Sequence, residues 1–127
     1  MNNLGGGKTY GIILDNLMYI NDPNYYSVFF RRTLVELKSN LWPELLKLAE
    51  PFLFYQSGPN KGRPIGKAHI SRQDYTVTWP TGSKTVCTYM DQPRDADQWY
   101  GSEISRAYFD EFQFTREYCF DVIRSRM

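Results

Sequence analysis

The chain has 127 residues, enough for one domain with a core of its own and too few for two comfortable ones. Lys and Arg number 15 and Asp and Glu 14, a formal charge of +1, which excludes the strong overall field of a dedicated nucleic-acid or membrane-surface binder; any DNA contact would rest on local patches. With 17% aromatic and 23% charged residues, the composition is that of a globular chain and not of a disordered tail.

Gly5, Gly6, Gly7, Lys8 and Thr9 come first, and they read as a glycine-rich turn opening into an amphipathic helix over 10–19 with Ile13, Leu14, Leu17, Met18 and Ile20 on one face. Such a turn can wrap backbone N–H groups around a phosphate, with the lysine reaching the outer phosphates and the Thr hydroxyl holding Mg²⁺. The full pattern G-x-x-x-x-G-K-[ST] would place its first glycine at position 2, where this chain has Asn2. The run Asn21, Asp22, Pro23, Asn24 stops the helix. Residues 26–30 (YSVFF) are a short run of β-formers, the pattern of a strand buried on both faces, and it delivers Arg31 and Arg32 at its end. Residues 33–52 read as helical in two pieces, broken near Ser39 and Asn40, with Pro43 tolerable in a first turn.

Residues 56–67 (QSGPNKGRPIGK) are loop by composition. Tyr75, Val77 and Trp79 then alternate, 80–83 (PTGS) make a turn, and 85–89 return, which predicts a β-hairpin. A polar loop or short helix spans 91–99. Ala107, Tyr108 and Phe109 form a second brief strand that ends in Asp110 and Glu111, and 115–126 read as a closing helix with Thr115 as its cap. The two short strands are expected to lie parallel in one sheet, with the hairpin extending it. The glycine run has too little chain before it for the strand that a phosphate loop follows, and the chain stops inside an apparent helix, so the expectation is a fragment of a larger α/β domain.

The strand ending in Asp110 and Glu111 supplies the second half of the chemistry. One carboxylate can hold Mg²⁺, directly or through water, and the next can orient and deprotonate an attacking water. The remaining candidates carry less. Lys61, Arg63, Lys67 and Arg72 make a loose basic stretch open to a DNA backbone or simply to solvent. Arg31 and Arg32 could sense nucleotide or touch DNA phosphate, but surface arginines at a strand end are more often solvated or paired with a carboxylate. Cys87 and Cys119 have no Cys or His neighbour at ligand spacing, so neither a zinc site nor a disulfide framework is indicated and a reduced, cytoplasmic setting is expected. Both read as small core residues, and Trp42, Trp79 and Trp99 as packing residues. No apolar run approaches the roughly 18 residues of a membrane span.

Five segments together resemble a known family: GGGKTYG at 5–11, FFRRT at 29–33, WPTGSK at 79–84, WYGSE at 99–103 and AYFDEFQ at 107–113. In this order they are similar to the ATPase domain of the large terminase subunit of tailed bacteriophages, the motor that drives DNA into the empty capsid. The resemblance implies an α/β P-loop NTPase fold of the additional-strand type, with a mostly parallel sheet, a β-hairpin extension and flanking helices. Residues 1–127 would be a partial domain, truncated at both ends, with the family's nuclease domain absent. The resemblance implies ATP and Mg²⁺ as cofactors, with Gly5, Gly6, Gly7, Lys8 and Thr9 cradling the phosphates. Thr9 and Asp110 would hold the metal, and Glu111 and Lys8 would be catalytic. Double-stranded DNA, a portal protein and a small terminase subunit would be the partners, in the cytoplasm of an infected bacterial host, with a homo-oligomer possible in the full-length parent. The family loop usually opens with Gly and often carries an arginine; Asn2 and Leu4 stand at those positions, so no arginine finger is carried over. Two other readings stay open: a non-catalytic remnant or interaction module that keeps the fold, and another P-loop motor such as a helicase.

Overall fold

The computed structural model describes residues 4–90, Gln92, Trp99 and 103–110, and of residues 4–7 the backbone alone. Within it the chain is α/β. A helix α1 (Leu4–Leu17) leads to strand β1 (Tyr26–Arg31) and then to a helical run made of α2 (Leu34–Glu36), a π-helical turn at Leu37–Leu41 and α3 (Trp42–Ala49). Six strands follow: β2 (Leu53–Phe54), β3 (Pro64–Gly66), β4 (His69–Ser71), β5 (Thr76–Thr78), β6 (Lys84–Tyr89) and β7 (Arg106–Asp110). Four of these join β1 in one sheet, in the order β4-β5-β6-β1-β7, and β2 and β3 pair separately.

The two strands expected to be parallel neighbours are so: β1 pairs with β7 from Ser27 opposite Arg106 to Arg31 opposite Asp110. The expected hairpin is β5 and β6, antiparallel across the 80–83 turn. Its turn depends on Gly82, whose φ of +104° suits a residue without a Cβ, and it closes through the Gly82 N–H donating to the Trp79 carbonyl at 2.9 Å. The Thr81 and Ser83 hydroxyls both donate to the Ile20 carbonyl, tying the turn to the chain just past α1. The sheet is mixed where a mostly parallel one was expected. β6, β1 and β7 run parallel, while β4 and β5 add two antiparallel pairings.

Strand alternation sends β1 to two cores. Phe29, with Cys87 and Tyr108 opposite it in register, faces α1 and α3 and joins Ile13, Leu37, Leu41, Leu45, Val77 and Trp79. Val28 and Phe30 face the other way, against Met90, Trp99 and Ile104. Side chains such as Phe29 and Phe30, fully buried, each contribute roughly 1.5–3 kcal/mol of hydrophobic stabilisation. The nearly all-apolar run at 26–30 is therefore buried on both faces, as its composition predicts.

Thr33 caps α2: its Oγ1 accepts from the Glu36 N–H at 3.2 Å and donates to the Glu36 carboxylate at 3.1 Å. The π-turn falls where the helix was expected to break, around Ser39 and Asn40. Pro43 has no N–H and its ring would crowd the Ser39 carbonyl in a regular helix; one wider turn relieves both problems without ending the run. The helix ends at Ala49 and not near residue 52, and the expected loop at 56–67 contains β3, a strand too short to show a period.

Two corrections concern α1. It begins at Leu4, so Gly5, Gly6 and Gly7 have helical backbone where a turn was expected, with the helix starting at residue 10. Its buried face is also rotated from the apolar one: Leu14 and Met18 are exposed, while Thr9, Ile13 and Asn16 are buried. Polar contacts set that rotation. Glu111, Cys119 and the expected helix at 115–126 lie outside the described residues.

Candidate functional site

Helix α1 runs antiparallel to the three parallel strands. Its early residue Thr9 meets the end of β7 at Asp110; further along, Asp15 accepts from the Tyr108 hydroxyl at 2.6 Å, and Asn16 reaches Thr85 near the start of β6. The N-terminus of the helix therefore lies at the edge where β1 and β7 end. That helix end carries partial positive charge and N–H groups without helical partners, the features that favour an anion.

Three charged or polar side chains converge under it. Thr9 Oγ1 donates to Asp110 Oδ2 at 2.8 Å across 101 residues of sequence. Arg31 Nη1 donates to the same oxygen at 2.6 Å, a charge-assisted bond between side chains that are 6% and 3% exposed. Register explains the pairing. Arg31 and Asp110 are direct partners at the ends of β1 and β7, each two residues on from a residue of the α1-facing core, Phe29 and Tyr108. Lys8 is exposed on the same first turns of α1.

The sequence-based site residues thus divide. Thr9 and Asp110, both expected as metal ligands, are in contact. Gly5, Gly6, Gly7 and Lys8 stand on the adjoining turns of α1, the glycines as helix and not as an open loop. Glu111 lies outside the described residues. Arg31, left open in the sequence as a sensor or a paired surface residue, is buried at the centre. It is the next same-side residue after Phe29 in β1, and the β1–β7 register places it opposite Asp110.

The donor set suits Mg²⁺ in kind. A hydroxyl and a carboxylate are hard oxygens, and at 2.8 Å they are separated by about the length of one edge of an Mg²⁺ octahedron, ~2.9 Å for ligands at 2.0–2.1 Å. Thr9 and Asp110 would hold the ion, and Arg31 already supplies positive charge to the same carboxylate. No group of three or more His, Cys, Asp or Glu side chains with metal-site geometry occurs among the described residues.

A second polar cluster lies under α1 two turns further along. The Asn16 amide donates to Thr85 Oγ1 at 3.0 Å and accepts from the Tyr25 hydroxyl at 2.6 Å. The Trp79 indole N–H also donates to Thr85 Oγ1, at 2.8 Å. With both lone pairs so used, the Thr85 hydroxyl donates its proton to Ser27 Oγ, 2.8 Å away. Every group is satisfied within the protein, so this cluster holds α1 against the sheet and offers nothing to a ligand. Nearby, Arg106 pairs with Asp15 at 3.1 Å and lies 4.6 Å over the Tyr19 ring.

A cleft of about 540 Å³ lies elsewhere, bordered by Leu14, Leu17 and Met18 of α1, Leu48 of α3 and Phe54 and Tyr55 of the β2–β3 ribbon. It includes none of the residues around Asp110. No helix among the described residues is long and apolar enough to cross a membrane. Comparisons with protein-family models, with curated proteins and with solved structures returned no match.

Proposed function

We propose that this chain is part of a P-loop ATPase of the kind that packages double-stranded viral DNA, resembling the large terminase subunit. The contact between Thr9 and Asp110 carries the reading. Two residues that the motif analysis assigns to one Mg²⁺, far apart in sequence, are hydrogen-bonded at the C-terminal edge of parallel strands beneath a helix N-terminus. Ligands of open α/β sheets bind at that edge. In this reading the α1 N-terminus and Lys8 receive the phosphates of ATP, Thr9 and Asp110 hold Mg²⁺, and Glu111 orients and deprotonates the attacking water. When bound, Mg²⁺ supplies charge neutralisation at the transferred phosphoryl group.

A second reading, a non-catalytic remnant that keeps the fold, is favoured by the helical backbone of Gly5, Gly6 and Gly7, which leaves no open loop to wrap a phosphate. Measured phosphate release separates the two. The ATPase reading expects Glu111→Gln to lower the rate by about 100-fold or more, with Lys8→Ala also slow. Equal release from the wild type and both variants would favour the remnant.

A further inference from the structure

The cleft of about 540 Å³ beside α1 shares no residue with the Asp110 edge. Its walls are apolar: Leu14 and Met18 of α1, Leu48 of α3, and Leu53, Phe54 and Ile65 of the β2–β3 ribbon. Three of these side chains remain open to solvent, Leu14 at 41%, Phe54 at 47% and Met18 at 75% exposure. A partner that covered them would gain roughly 1.5–3 kcal/mol for each side chain fully buried. Small-molecule sites enclose most of their ligand, and a cleft with walls this exposed does not. It has the form of a groove that receives part of a larger molecule.

Charge narrows the choice of partner. Among the described residues that line the cleft, Lys47 is the one that carries a charge, and its side chain is 71% exposed. It meets Glu44 at 3.4 Å, an exposed i,i+3 contact of the kind that contributes little and gives way to a better placed carboxylate. The ribbon adds more positive charge. Lys61 and Arg63 are exposed, and Arg63 is held beside the cleft-lining Tyr55, whose N–H donates to the Arg63 carbonyl at 2.9 Å. Residues 51–73 contain no Asp or Glu. We propose that the cleft docks an acidic amphipathic helix of another protein, with its large apolar side chains between α1, α3 and the ribbon and its carboxylates toward Lys47, Lys61 and Arg63. An amphipathic helix fills a hydrophobic groove in this way, and a basic rim selects its charge and speeds encounter. Met18 suits the role, since an unbranched thioether side chain adapts to the shape of what covers it. The surface stands apart from the Mg²⁺-nucleotide reading and does not depend on it.

The probe is a fluorescein-labelled peptide of about 15 residues, with Leu and Phe at i, i+3, i+4 and i+7 and Glu and Ala elsewhere; its control has Lys in place of each Glu. In fluorescence anisotropy with the whole chain, the acidic peptide should bind about tenfold or more tighter than the basic one, and added salt should weaken it. Met18→Glu should weaken the acidic peptide by about tenfold or more. Lys47→Glu combined with Arg63→Glu should reverse the preference between the two peptides. Met18, Lys47 and Arg63 are all exposed, so these variants leave the core intact. Equal binding of both peptides, or binding of neither, would overturn the proposal. Self-association in sedimentation that Met18→Glu abolishes, without peptide binding, would assign the cleft to a second copy of this chain instead. Binding of a DNA duplex that the double variant abolishes and Met18→Glu leaves unchanged, again without peptide binding, would assign the cations to nucleic acid and overturn it equally.

Discussion

Helix α1 covers two buried polar clusters, centred on residues seven apart and so roughly 10 Å along its axis. The cluster of Asn16, Tyr25, Ser27, Trp79 and Thr85 is neutral, and its hydrogen bonds close on themselves, each lone pair of Thr85 taken by a named donor. The cluster of Thr9, Arg31 and Asp110 is charged, and two donors converge on one carboxylate oxygen. A closed neutral network fixes the helix at the start of the strands. A buried ion pair is a weaker source of stability. One helix thus meets a closed neutral network near the start of the strands and a buried ion pair at their ends.

Breaking each cluster in turn sharpens this contrast. Asp110→Asn keeps an oxygen for Thr9 but removes the carboxylate charge that the buried Arg31 Nη1 meets at 2.6 Å. It should destabilise the chain by about 3 kcal/mol in urea unfolding, the largest of these effects. Adding Arg31→Gln to it should recover a good part of that loss. Asn16→Ala, which strands the Tyr25 hydroxyl and removes one donor to Thr85, should cost about 2 kcal/mol without changing metal affinity. If Asn16→Ala alters metal affinity as much as Asp110→Asn does, the division between anchor and site is wrong.

The smallest effect is one of pH. Burial, first of all, raises the hydroxyl pKa values of Tyr25, Tyr26 and Tyr108 above the ordinary 10.0, and at Tyr108 the Asp15 carboxylate adds to the rise. The unfolded chain therefore loses these protons first. Above about pH 10 it binds fewer protons than the fold at these tyrosines, so the stability they contribute is fully present below that pH and falls as pH climbs toward the folded values. Burial also raises the Cys87 thiol above its ordinary value, so unfolding free energy from urea titrations should be flat up to about pH 8, begin to fall near pH 9 through Cys87 and fall more steeply above pH 10, by at most about 1.4 kcal/mol per pH unit for each group. Tyr108→Phe should make the decline shallower.

Much of the sheet was legible because its signals are local. The Pro80 to Ser83 turn, the alternation before it and the apolar run at 26–30 each specify an element by composition. The Thr9–Asp110 contact was legible through chemistry, two partial motifs implying one metal. Asn16 was not: apolar periodicity assigns the buried face to Leu14 and Met18, and only the Thr85 and Tyr25 hydroxyls across the sheet make burial of an amide favourable. Arg31 failed for a related reason. A strand-end arginine usually meets solvent, and its burial follows from the β1–β7 register, which no local pattern encodes. The glycines were expected as a turn because their propensity disfavours helix, whereas in the fold the helix simply extends through them.

The central claim, a Mg²⁺-nucleotide site on Thr9 and Asp110, is tested most directly by titrating mant-ATP into the wild type and Asp110→Asn, each with and without Mg²⁺. The account predicts binding that Mg²⁺ strengthens by about tenfold or more in the wild type, with that gain lost in Asp110→Asn. Equal mant-ATP binding with and without Mg²⁺ in the wild type, or no binding at all, would contradict it.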